Sequence, residues 1–146
     1  MSTVLVVGVF DLFHRGHVEL LRRASELGDR LVVVINGDHF TQKYKRRPIF
    51  SEEDRAALVG AVRYVDAVEI SNSSSVKPWV EKYDIDAIAH GDDWEHSSYM
   101  RQIDLTEDYV AERGIRMVYL PYYAGISTSG IIKRMKAQQD QAALQK

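Results

Sequence analysis

Five short apolar runs, rich in β-branched residues and each followed by a stretch of helical character, constrain this chain more than any other feature. Residues 3–7 read TVLVV and stop at Gly8, and residues 31–35 read LVVVI and stop at Asn36-Gly37-Asp38. Residues 65–70, 85–89 and 116–120 repeat the pattern, the last two closing at Gly91 and Pro121. Uninterrupted apolar runs of this length fit strands buried on both faces. Between the first two, Val18, Leu20, Leu21, Ala24 and Leu27 recur at helical spacing up to Gly28. Ser51 with Asp54 marks a helix start, and Ala57, Leu58, Ala61 and Val62 supply its apolar stripe. Pro78 suits the first turn of a helix running to about residue 83. A single polar helix is predicted over residues 98–113 with Gly114 as its stop, and a last helix starts near Ser127 and fades into a polar tail at 138–146. Alternation of this kind predicts one α/β domain over residues 1–137, a doubly wound, five-stranded parallel sheet of Rossmann-like type. Such sheets bind ligands beyond the carboxyl ends of their strands. The site is therefore expected in segments 8–17, 36–47, 91–94 and 121–129.

Composition excludes several classes. The 19 Lys and Arg against 21 Asp and Glu give a net charge of −2, so there is no global positive field to hold nucleic acid. Cysteine is absent, which removes disulfides, thiolate metal sites and thiol nucleophiles. No apolar run approaches the length of a membrane span, and the first residues do not read as a secretory signal. A cytoplasmic protein without membrane or nucleic-acid partners is expected.

The expected segments hold the chemistry. In residues 8–17, His14 and His17 flank Gly16 directly after a buried strand and at the start of a helix. Helix amino termini present free N–H groups and favour anions, glycine permits close approach, and imidazoles there can donate to phosphate oxygens or carry charge near neutral pH. Gly125 and Ile126 lead into Ser127, Thr128 and Ser129, whose hydroxyls beside a second helix start form a second anion cradle. Lys43, Lys45, Arg46 and Arg47 make a basic stretch after the second strand, placed to close over phosphates. Asp92 and Asp93 follow the fourth strand as a pair of carboxylates suited to holding Mg²⁺ through water, and Trp94 offers an aromatic face for stacking.

Gly8-Val9-Phe10-Asp11 followed by His14-Arg15-Gly16-His17 resembles the signature of the cytidylyltransferase-like nucleotidyltransferase superfamily. Arg55 and Arg63 in one helix, Gly91-Asp92-Asp93-Trp94 and Gly125-Ile126-Ser127-Thr128-Ser129 extend the similarity to about residue 136, along the pattern of the bacterial glycerol-3-phosphate cytidylyltransferases. The resemblance implies transfer of CMP from CTP to a small phosphorylated alcohol, with release of pyrophosphate, Mg²⁺ as cofactor and a homodimer. It implies catalytic roles for His14, His17, Lys45, Arg46 and Arg63. Gly8, Val9, Phe10, Gly16, Asp92, Gly125, Ile126, Ser127, Thr128 and Ser129 would contact the nucleotide, and Asp11, Arg55, Asp93 and Trp94 the substrate. Tyr44 and Tyr122 stand where the family usually carries cations, which leaves two alternatives open: an adenylyltransferase using ATP on a phosphorylated acceptor, and a nucleotide-binding module without turnover.

Overall fold

The computed structural model describes residues 2–42, 46–92 and 95–144. The apolar runs become β1 (Thr3–Gly8), β2 (Arg30–Asn36), β3 (Ala67–Ser71), β4 (Ala87–Gly91) and β5 (Arg116–Leu120). They form one sheet in the order β3-β2-β1-β4-β5, with every neighbouring pair parallel. The winding reverses between β1 and β4, the position where open α/β sheets leave a crevice.

Side chains alternate across the strands and build a core on each face. On one face Val4, Val6, Leu31, Val33 and Ile35 pack against Leu21 and Ala24 of α1 (Arg15–Ser25) and Val59 of α3 (Glu52–Gly60). On the other, Leu5, Val7, Val32, Val34 and Ile88 meet α4 (Lys77–Tyr83), α5 (His96–Gln102) and α6 (Glu107–Arg113) through Val80, Tyr99, Met100 and Val110. At the amino edge of the sheet two carboxylates satisfy amides that have no ladder partner. Asp86 accepts from the Thr3 N–H at 2.8 Å, and Asp66 accepts from the Leu31 N–H at 2.8 Å.

The helices depart from expectation in three places. A short α2 (Asp38–Gln42) follows β2 directly. The single polar helix expected over 98–113 is two helices, broken at Asp104, which adopts φ +60°. Ile103 and Leu105 are both buried, and on a continuous helix they would point about 200° apart, so only a break lets both enter the core. The Leu105 N–H closes α5 on the Met100 carbonyl at 2.9 Å, and the Thr106 hydroxyl accepts from the Tyr109 N–H at 3.1 Å to open α6. Finally, α7 (Thr128–Leu144) runs through most of the expected tail, where Ala, Gln and Lys are good helix formers. His96 clips these parts together. Its Nε2–H donates to the Glu107 carboxylate at 2.6 Å, which leaves Nδ1 to accept from the Tyr119 hydroxyl at 2.6 Å.

Gly114 caps α6 at φ +66°, and a Cβ there would meet nothing within 4 Å. The cost of a side chain is then conformational alone. Gly114→Ala is expected to lower the unfolding free energy in urea by about 1 kcal/mol with an unchanged slope.

Candidate active site

A cleft of about 590 Å³ opens at the carboxyl edge of the sheet. Gly8, Val9, Phe10 and Asp11 line it from the end of β1, His14, Gly16 and His17 from the start of α1, and Ile126, Ser127, Thr128 and Ser129 from the start of α7. The two sequence-predicted anion cradles therefore line one space, except Gly125, which lines a neighbouring cavity of about 430 Å³.

The loop from β1 to α1 is tightly wound. Phe10 and Leu12 take φ +57° and +48°, a left-handed conformation that costs about 1–2 kcal/mol for a side-chain-bearing residue. Burial of the Phe10 ring offsets that cost, and the ring packs so closely on Gly8 that a Cβ there would lie 2.8 Å from it. The loop delivers His14 to the amino-terminal cap of α1. His14 Nδ1 accepts from the Gly16 N–H at 3.0 Å, and His17 Nδ1 accepts from the His14 N–H at 3.1 Å. This reciprocal cap is usually made by Ser or Thr with Glu or Gln. A Cβ on Gly16 would strike the His14 ring at 2.8 Å, so the cap requires glycine there.

The cap fixes the protonation of both rings. Each Nδ1 faces an N–H donor, so each ring proton sits on Nε2. His17 stacks between His14, with centroids 3.9 Å apart, and Phe13, at 5.2 Å. Burial, reinforced by the His14 charge and opposed by Asp11, takes the His17 pKa down to about 3. Burial also lowers that of His14. Cationic imidazoles, allowed by the sequence, are thus replaced by a pair of neutral Nε2–H donors.

At the start of α7, Ser127 Oγ accepts from the Gly130 N–H at 3.0 Å. Thr128 Oγ1 donates to the Asp11 carbonyl at 2.9 Å and ties this helix start to the β1–α1 loop. The Thr128 hydroxyl is thereby committed to the chain and the Gly130 amide to Ser127, which leaves the Thr128 and Ser129 amides and the Ser127 and Ser129 hydroxyl protons as the donors suited to an anion.

Two charged residues expected at the substrate, Asp11 and Arg55, and one expected to be catalytic, Arg63, are engaged elsewhere in the fold. The Asp11 carboxylate, 3 % exposed, accepts from the Ile49 N–H at 2.8 Å, the Phe50 N–H at 2.9 Å and Arg46 Nη1 at 2.8 Å. Burial acts to raise its pKa, but the two amides and Arg46 outweigh it and hold the group below its ordinary value. Its oxygens are spent on holding segment 46–50. Arg55 is fully buried rather than facing the cleft. It donates to the carbonyls of Phe50, Val9 and Asn36 at 3.1, 2.8 and 2.7 Å and to Asp38 Oδ1 at 2.6 Å. Four of its five donors are spent inside the fold, and the side chain is not exposed to the cleft. Arg63 follows α3, near the amino edge of the sheet, exposed and bonded to its neighbour Tyr64 at 3.1 Å, which removes it from the phosphates within one copy of the chain. Asp92 lies exposed just past β4, its N–H on the Leu120 carbonyl at 2.9 Å. Lys43, Tyr44, Lys45, Asp93 and Trp94 lie outside the described residues. Among those described, no group of three or more His, Asp or Glu can hold a metal ion.

Part of the cleft went unread in the sequence. Ser71, Ser73 and Ser74 line it from the end of β3 and the loop after it, Tyr99 and Gln102 from α5, and His90 from β4 with its ring 4.2 Å from that of Tyr99. The β3 end was predictable, since a parallel strand brings its carboxyl end to the same edge. Arg23 also lines the cleft, its guanidinium on the Pro121 carbonyl at 3.1 Å.

Comparison with known proteins agrees with this geometry. The family model described as cytidylyltransferase-like matches residues 5–134. The chain is 40% identical over 134 residues to an FAD synthase of Thermococcus kodakarensis, covering 90% of each. It is 38% identical over 132 residues to a glycerol-3-phosphate cytidylyltransferase of Bacillus subtilis, covering 90% of this chain and 95% of that one. A solved lipopolysaccharide core biosynthesis protein from Thermoplasma volcanium superposes with a TM-score of 0.71 at 28% identity, over 84% of this chain and 98% of its own.

The His17 environment has a measurable consequence. Its folded pKa lies below the unfolded value of about 6.5, so the unfolded chain binds the extra proton. Stability is therefore full above about pH 6.5 and falls as pH drops toward 3, by up to about 1.4 kcal/mol per pH unit from this group. In an NMR titration the His17 ring is expected to stay neutral down to pH 5.

Proposed function

The chain belongs to the cytidylyltransferase-like family of nucleotidyltransferases, and on that premise we propose that it transfers CMP from CTP to a small phosphorylated alcohol resembling glycerol 3-phosphate. The observation that carries this reading is the pair of neutral Nε2–H donors at one helix start, facing a second helix start across one cleft. A triphosphate laid between them has its α-phosphorus open on one side. The acceptor's phosphate oxygen is already a competent nucleophile, so attack needs no general base and no covalent intermediate. One P–O bond forms at the α-phosphorus as the bond to the β-phosphate bridge breaks, and pyrophosphate leaves with the electron pair. Catalysis then consists of alignment and of compensating charge as it shifts. His14 and His17 donate to α- and β-phosphate oxygens. The amides and hydroxyls at the start of α7 hold the outer phosphates. Arg46, 45 % exposed and anchored on Asp11, stabilises the departing pyrophosphate together with Lys45. Mg²⁺ bound with the nucleotide would be held mainly by phosphate oxygens and would shield their charge; among the described residues no group of three or more His, Asp or Glu is placed to hold it. A homodimer, implied by the sequence resemblance, belongs to the same reading.

Adenylyl transfer from ATP is the second reading. The 40% identity to an FAD synthase favours it, since that product carries an adenylyl group.

Pyrophosphate release measured with CTP and ATP against glycerol 3-phosphate and flavin mononucleotide separates the two. Turnover with CTP and glycerol 3-phosphate is expected. Turnover only with ATP overturns the cytidylyl assignment, and binding without turnover for any pair overturns the enzymatic one. His17→Ala, checked for retained fold by circular dichroism, is expected to lower kcat at least about 100-fold.

A further inference from the structure

Arg15 is the first residue of α1, where a cation opposes the helix dipole and an acidic residue would stabilise the helix. Its position is explained by what it touches. The Arg15 guanidinium lies over the Tyr123 ring, 5.5 Å from the centroid. The same ring lies against Gly125, where a Cβ would fall 2.8–2.9 Å from two ring carbons and the hydroxyl oxygen. Tyr123 is thus lodged between the first turn of α1 and the segment that leads into α7. Two more contacts join the same parts: Ile126 O would be 3.3 Å from a Cβ on Gly16, and Arg23 holds the Pro121 carbonyl at 3.1 Å.

We infer that Arg15 and Tyr123 form a brace that sets the spacing between the two anion-binding helix starts, making Tyr123 a positioning residue for the polyphosphate. The inference rests on the proposed placement of the triphosphate between those starts. The ring has the required form for the task. It is rigid, it packs against a guanidinium and a bare glycine backbone, and it forms part of the cleft wall. The stack also keeps the Arg15 charge at the rim, where it adds to the field that draws a polyanion in. The Tyr123 hydroxyl enters only through its packing beside Gly125, so the ring and not a hydrogen bond from the phenol is what matters.

The test reads polyphosphate binding and turnover separately. Inorganic tripolyphosphate binding is measured by calorimetry and the KM for nucleoside triphosphate by pyrophosphate release, for the full chain and for Tyr123→Phe, Tyr123→Ala, Arg15→Ala and the double alanine variant. Tyr123→Ala and Arg15→Ala are each expected to weaken tripolyphosphate binding and to raise the nucleotide KM about tenfold, with the acceptor KM unchanged. Tyr123→Phe is expected to bind within about threefold of the parent chain. The double variant is expected to be little worse than either single one, because both remove one interaction. Parent-like binding in both alanine variants, or losses that add in the double variant, overturns the brace. If the parent chain binds tripolyphosphate as expected but no nucleotide turns over, the proposed function falls while the brace is still decided by the binding series. If the parent binds neither polyphosphate nor nucleotide, both fall.

Discussion

One buried guanidinium organises the carboxyl edge of this sheet. Parallel strands all deliver their last carbonyls to the same edge, and any that are buried there need donors. Arg55 supplies four hydrogen bonds from a fully buried position, to Val9 beyond β1, to Asn36 at the end of β2, to Phe50 before α3 and to Asp38 at the start of α2. A planar, permanently charged fork suits carbonyls that converge from several directions better than an ammonium would. Asp11 does the complementary work, accepting where Arg55 donates, and the two fix segment 46–50 against the β1–α1 loop. The phosphate-facing surface is built on that scaffold.

The charges of the site are consequently divided. The groups nearest the expected phosphates are neutral donors and amide dipoles, while the described cations reach the cleft from its margins: Arg46 from the loop after β2 and Arg23 from α1. Neutral donors do not compete with cations for desolvation energy in a partly buried cleft. They also hold their protonation state across the physiological range, which a pair of stacked imidazoles 3.9 Å apart could not do if both were charged.

The sheet was legible because each buried parallel strand is a continuous β-branched run, a signal that needs no partner to be read. The two cradles were legible because helix starts after strands carry their own markers, His14-x-Gly16-His17 and Ser127-Thr128-Ser129. What could not be read depends on tertiary partners. Arg55 stands one turn into a helix like any surface arginine, and only the fold shows three carbonyls converging on it. Arg63 reads as part of the same helix, yet α3 ends at Gly60, and its direction carries Arg63 toward the opposite edge. The break at Asp104 follows from the need to bury both Ile103 and Leu105, a demand set by the core and not by local propensity.

The histidine cap shows why fold and chemistry are hard to separate here. Ser with Glu would satisfy the same two amides and start the same helix, but the Glu would bring a negative charge beside an anion and neither side chain would hold a rigid N–H outward. Imidazole carries an acceptor and a donor on opposite sides of a rigid ring. Nδ1 can close the helix while Nε2–H points away from it. The backbone N–H that Nδ1 accepts is what forces the proton onto Nε2, so the bond that starts α1 also sets the tautomer. Protonation would place a second proton against the amide, break the cap and charge a ring buried between His14 and Phe13. The low pKa of His17 is in that sense a property of the helix start, and any replacement that restores the cap without an outward donor keeps the fold while removing the site.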